Sequence, residues 1–254
     1  MRKIIYTLVA LVVLFVGGIY FVFNTGKTVG TVWDEGDLIS GIEKAQIEID
    51  SIEEINLETL AKGNFTTQGV NNIDIDFTSE EMSALISSAN DNGGPIKDVR
   101  VAFGDDGNGE VSFKLSDTFV DFLYEENILT FELGAKKAYA LTSDSYSSNP
   151  LDRSLTERVV SYINNVANNR PVYATGELTR TSSNSIEIDI ERLTVGRVSM
   201  SDEVIERVEV ETVRIVNGII SPENGFHIEE LQVDGGQLHY KGTLPAEIEG
   251  QKIN

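Results

Sequence analysis

The sequence predicts an α+β fold: a twisted antiparallel sheet covered by two to four helices, preceded by one amino-terminal transmembrane helix. Three observations predict it. The twenty residues 4–23, IIYTLVALVVLFVGGIYFVF, carry no charge, and at about 1.5 Å of rise each they span roughly 30 Å of hydrocarbon. Alternating apolar and polar stretches recur through the rest of the chain between Gly-containing turns, the pattern of half-buried strands joined in hairpins. Apolar stripes at steps of three and four follow capping pairs, the mark of amphipathic helices.

Arg2 and Lys3 precede the apolar stretch, and only Lys27 follows closely before Asp34, Glu35 and Asp37. The positive-inside bias therefore keeps the start in the cytoplasm and exports everything from about Asn24 onward. The stretch is longer than a signal-peptide core, and Tyr20, Phe21 and Phe23 offer no small-x-small cleavage site, so it reads as an uncleaved anchor. The expected location is the cell membrane, single-pass, with an extracytoplasmic carboxy-terminal domain. The chain has no cysteine, which excludes disulfides, thiolate metal sites and a cysteine-linked lipid anchor.

Residues 25–44, punctuated by Gly26, Gly30, Gly36 and Gly41, show no sustained period and read as a juxtamembrane connector. Gly26, Lys27 and Thr28 superficially match the end of a phosphate-binding loop, but the motif needs a glycine where this chain has Phe21. Residues 45–254 form one extracytoplasmic α+β domain, since no long Gly/Pro-rich gap divides them.

Within it, Val70, Ile73, Ile75 and Phe77 lead into FTSEEMSALISSAN, where Thr78 and Glu81 stand at capping-box spacing. Val99, Val101 and Phe103, the turn DDGNG, then Val111, Phe113 and Leu115 make a hairpin. A calcium loop there would need glycine at its sixth position and glutamate at its twelfth, where this chain has Val111 and Asp117. Phe119 to Leu133 is apolar and aromatic without deciding between helix and strand. Residues 155–168 follow the pair Ser154 and Glu157 and predict an amphipathic helix.

Val172, Ala174 and Gly176, then Ile186, Ile188 and Ile190, set up two strands, the second with Glu187, Asp189 and Glu191 facing water. SDEVIERVEVETVRIVNG starts with helix-favouring acids and stops at Asn217 and Gly218, although its valines also suit a strand. The closing hairpin pairs Val233 with Leu238 and Leu231 with Tyr240, and Pro245 ends it.

Forty-one acidic residues against 20 basic ones give a net charge of −21, which repels phosphate backbones and excludes nucleic acid as a partner. His227 and His239, the two histidines, fall too far apart on one hairpin to make a dyad, and His239 points away from Leu238 and Tyr240. No catalytic serine, zinc or dinucleotide motif is present. The acid pairs Glu80–Glu81 and Glu229–Glu230 follow from composition, and adjacent strand acids face opposite sides. Trp33 reads as an interfacial anchor. No catalytic residue, metal ligand or cofactor is expected.

The anchor, the FTSEEMSALI helix start, the LTVGRVSMSDEVIERV segment and the closing VDGGQLHYKGTLP hairpin together resemble the YpmS-like group of exported bacterial single-pass proteins. Similar patterns occur in the tubular lipid-binding superfamily, which implies a curved sheet wrapping a helix around an apolar groove. The expected function is a noncatalytic, membrane-anchored domain holding or presenting an apolar ligand such as a lipid. Its expected lining is Ile186, Ile188, Val204, Val208 and Leu238. The alternative is a structural or protein-interaction module of the cell envelope. Its partners are then the membrane, through residues 4–23, and a lipid or an envelope protein.

Overall fold

The computed structural model describes residues 25–50, 59–60, 62–90, 93–116 and 168–250. These form an α+β fold with three α-helices and mostly antiparallel strands. Among them no helix is long and apolar enough to cross a membrane. The anchor at 4–23, the segment 119–133 and all but the last residue of the helix expected over 155–168 lie outside the described residues.

Residues 25–44 are not an irregular connector. Residues 25–34 run as a strap across one face of the largest sheet, where Val29 is 3% exposed and its N–H donates to Ser112 Oγ at 2.9 Å. Helix α1 follows at Glu35–Ala45. Asp34 accepts from the N–H groups of Gly36 and Asp37, and Asp37 returns a carboxylate to the Asp34 N–H. Two aspartates thus close a capping box more often built from Ser or Thr with Glu, which satisfies three amino-terminal N–H groups.

Strands β1 (Glu48–Asp50), β2 (Phe65–Gln68) and β3 (Asn71–Thr78) lead to helix α2 (Ser79–Ser88). Thr78 and Glu81 form the expected capping box. The expected hairpin is β4 (Ile96–Phe103) with β5 (Asn108–Leu115), and β6 (Pro171–Ser182) pairs with β7 (Ser185–Val195). The two-residue β8 (Val198–Ser199) precedes helix α3 (Asp202–Ile219), and its valines do not divert it into a strand. Strands β9 (His227–Asp234), β10 (Gln237–Leu244) and β11 (Glu247–Gly250) complete the chain.

The single sheet expected from the alternation is divided into three, ordered β1-β11-β2, β3-β10-β9 and β4-β5-β6-β7-β8. The first includes a parallel pair, β1 with β11. Alternation reports which face of a strand is buried but not which strand lies beside it.

Two apolar clusters fill the interior. One gathers Ile73, Phe77, Ile186, Ile228, Val233, Leu238, Tyr240 and Leu244, and the other Leu115, Val172, Ala174 and Leu193. In the closing hairpin Val233 opposes Leu238 and Leu231 opposes Tyr240, as the apolar pattern requires. The register then slips between Lys241 and Gly242, so His227 meets Thr243 instead of Leu244. Gly242 has φ +151°, and a Cβ there would lie 1.8 Å from the His227 carbonyl oxygen. Only glycine lets the bulged backbones approach so closely.

Both edges of the five-stranded sheet are closed by helix side chains. On the β4 edge, Ser79 Oγ accepts from Phe103 N–H at 3.0 Å and Ser83 Oγ from Val101 N–H at 2.8 Å, while Ser87 Oγ donates to the Val99 carbonyl at 2.9 Å. Serines four residues apart rise about 6 Å along a helix, close to the roughly 7 Å between alternate strand residues. On the β7 edge, Glu209 of α3 accepts from Ile190 N–H at 2.6 Å and Asn217 accepts from Ile186 N–H at 2.9 Å. A short β8 and two α3 side chains thereby replace a partner strand.

Candidate functional site

The five residues expected to line an apolar groove do not share one surface. Ile186 and Leu238 are buried in the first cluster at 6% and 7% exposure, with Ile188 packed against its rim. Val208 packs against the second cluster, and Val204 is 41% exposed. Ile188 on β7 and Val208 on α3 are thus half-buried against different clusters, Val204 is exposed, and Ile186 and Leu238 are core.

The seam between α3 and β7 is unusual in one respect: none of the 18 residues of α3 is buried. Ile205, Val208, Val213, Ile215 and Val216 are all half-covered, and Val210 is 60% exposed. Ile205, Val208 and Val216 pack against the two clusters, and polar clasps add to this hold. Beyond Glu209 and Asn217, Asn184 Nδ2 donates to the carbonyls of Ile220 and Phe226 and fixes its carboxy-terminal end.

Among the described residues, two of the recesses are lined by charged side chains of the sheets. The first, about 470 Å³, opens between the β4–β5 turn, β6 and β9, and is lined by Asp105, Asp106, Glu177 and Asp234 among others. Asn108, through its side chain and its backbone N–H, holds the Asp106 carboxyl below its usual range. Asp105 and Asp106 belong to a turn held by its own hydrogen bonds, and Glu177 and Asp234 lie on β6 and β9.

The second recess, about 360 Å³, is lined by Gly26, Lys27, Tyr173, Arg192, Thr194, Gly196 and Arg197. Strand register builds its floor. Glu110, Thr175 and Arg192 stand in one cross-strand row, and Ser112, Tyr173, Thr194 and Ser199 in the next. The strap lays Lys27 over this floor, its ammonium 4.1 Å from the Tyr173 ring centroid. Lys27 donates to the Tyr173 hydroxyl and to Glu110 at 3.1 Å. The Tyr173 bond, opposed by desolvation and aided by Glu110, holds the ammonium pKa above its ordinary value. Lys27 stands out in the sequence beside Gly26 and Thr28, whereas the arginines come to the recess only through the pairing of β6, β7 and β8.

The remaining candidates are accounted for locally. His239 Nδ1 sits 2.8 Å from Asp76, with its Nε2 3.7 Å from Asp74 and 4.0 Å from Glu230. Glu230 also accepts from Lys241 at 2.7 Å, which holds its carboxyl below the usual range. Glu81, 4% exposed, accepts from Lys44 at 2.8 Å, Ser40 at 2.5 Å and the Thr78 N–H at 2.9 Å. Burial would raise its pKa, but these bonds outweigh burial and lower it. Its role is to bind α1 to α2.

Set against models of protein families, curated proteins and solved structures, the chain matches none.

Proposed function

We propose that this protein is a noncatalytic, membrane-anchored extracytoplasmic domain that holds or presents an apolar ligand such as a lipid chain at the seam between α3 and β7. One observation carries the reading: an 18-residue amphipathic helix whose apolar stripe stays half-covered along its whole length. A helix serving only as core would bury that stripe, because burying a valine or isoleucine side chain contributes about 1.5–3 kcal/mol. Polar clasps tie α3 to β7 while Val204 and Val210 keep apolar surface exposed on the helix. The apolar stretch 4–23 and the resemblance of the VDGGQLHYKGTLP hairpin to exported single-pass proteins support the anchor.

Val204 and Val210, on the outer side of the same helix, favour a second reading, a protein-interaction module of the envelope. Site-specific photo-crosslinking of the full chain in native membranes separates the two. A benzophenone side chain in place of Val208 is expected to acquire a lipid-mass adduct. A protein adduct at Val210 with none of lipid mass at Val208 would favour the module, and no adduct at either position would reject both.

A further inference from the structure

The end of the five-stranded sheet at which the chain enters the fold differs in chemistry from the opposite end. Gly26 packs so closely there that a Cβ would lie 2.6 Å from the Gly196 carbonyl oxygen and 3.0 Å from the Pro171 ring. Gly196 belongs to the turn between β7 and β8, and Pro171 opens β6. Strand pairing sets Lys97, Lys114 and Pro171 in one row at this end and Phe113, Val172, Val195 and Val198 in the next. Arg170 and Arg197 adjoin these rows. Across residues 96–98, 113–116, 168–172 and 195–198 the one acid is Asp98, which accepts from Lys114 at 2.5 Å. Strand β4 is eight residues long, which puts the other end of the sheet about 23 Å away. There, residues 103–109 and 176–190 hold Asp105, Asp106, Glu177, Glu187 and Asp189 against Arg180, and Glu177 stands directly opposite Asp189.

We propose that the entry end of this sheet, the β7–β8 turn foremost, is the surface on which the domain rests against lipid head groups. The proposal rests on the reading of residues 4–23 as a membrane anchor. Only Asn24 and Thr25 then lie between Phe23 and Gly26, a reach of at most about 11 Å, and Gly26 is packed against Gly196 and Pro171. The β7–β8 turn can leave the bilayer surface only if the strap is stripped from the sheet, and Val29, buried and bonded to Ser112, holds the strap down. Charge acts in the same sense. Lysine and arginine stems lie against apolar matter while their heads stay among polar groups, whereas the acid-rich end is repelled by anionic lipid. Helix α3 runs antiparallel to β7, from Met200 beside Leu193 to Asn217 beside Ile186. Its first turn, with the exposed Val204, is therefore the turn nearer the lipid.

The chain has no cysteine, so single introduced cysteines report position directly. Residues 197, 199 and 105 are all exposed. The full chain carrying Arg197→Cys, Ser199→Cys or Asp105→Cys, each labelled with a small fluorophore, is placed in bilayer discs with and without phosphatidylcholine bearing a nitroxide on its head group. The nitroxide is expected to quench the labels at 197 and 199 and to leave the label at 105 unchanged, because quenching by contact does not extend over the roughly 23 Å between the two ends. Equal quenching at 105, or none at 197 and 199, in a chain that stays with the membrane through an alkaline carbonate wash, would overturn this proposal and leave the anchor standing. Release of the chain by that wash would overturn the anchor reading and this proposal with it.

Discussion

Tyr240 and Gly242, two positions apart on β10, fix the closing hairpin in opposite ways, one through its hydroxyl and the other through the side chain it lacks. Gly242→Ala puts a methyl group into the His227 carbonyl, so the bulge must open. The expected loss is about 2–4 kcal/mol, read from the urea midpoint. Tyr240 donates to the Thr243 carbonyl at 2.9 Å, and burial pushes its pKa from 10.0 up to about 12. Because the folded value is the raised one, its stabilisation is complete below pH 10 and is lost as pH rises from 10 toward 12. Tyr240→Phe should flatten that alkaline fall while costing about 1 kcal/mol at neutral pH, as alkaline denaturation curves of the two proteins would reveal. The pairs Val233–Leu238 and Leu231–Tyr240 were legible in the sequence because one apolar face fixes a register. The slip at Gly242 was not, since a glycine in a strand has no pattern of its own and its meaning lies in the partner backbone.

At the scale of elements, α2 and α3 act as edge closures as much as core helices. Ser83→Ala leaves the Val101 N–H without its acceptor beneath a fully buried side chain, with an expected loss of about 1–3 kcal/mol by urea denaturation. Replacing Ser79, Ser83 and Ser87 together should open the β4 edge and produce a concentration-dependent rise in light scattering. The contact of α1 with α2 responds to acid instead. The Glu81 carboxyl is lowered in the folded state, so its stabilisation is present above its unfolded pKa near 4.5 and is lost as pH falls through the depressed value. Glu81→Gln should therefore weaken the acid dependence of stability and cost about 2 kcal/mol at neutral pH. The start of α2 was legible from Thr78 and Glu81, and α3 from the acids that open it. Helix α1 was not, because its cap is a pair of aspartates and Gly36 and Gly41 break the apolar period.

For the whole molecule, the sequence told the fold class, the hairpins and the distribution of charge, but not the division into three sheets. The β1–β11 pair joins opposite ends of the described chain, and no local pattern marks such a partner. The basic recess was hidden for the same reason, since Lys27 reaches Arg192 only across the folded sheet. The strap gives a prediction at this scale. Removing residues 1–24 should leave the thermal midpoint unchanged, whereas removing residues 1–31 strips Val29 from the sheet, leaves Ser112 without its bond and should cost about 2–4 kcal/mol. The strap also bears on reach. With residues 4–23 in the bilayer as proposed, only Asn24 and Thr25 separate the last apolar residue from Gly26, a span of at most about 11 Å. A leash that short holds the domain flush against the lipid and allows it little rotation. Its encounters become a two-dimensional search in the plane of the membrane, made always with the same side leading.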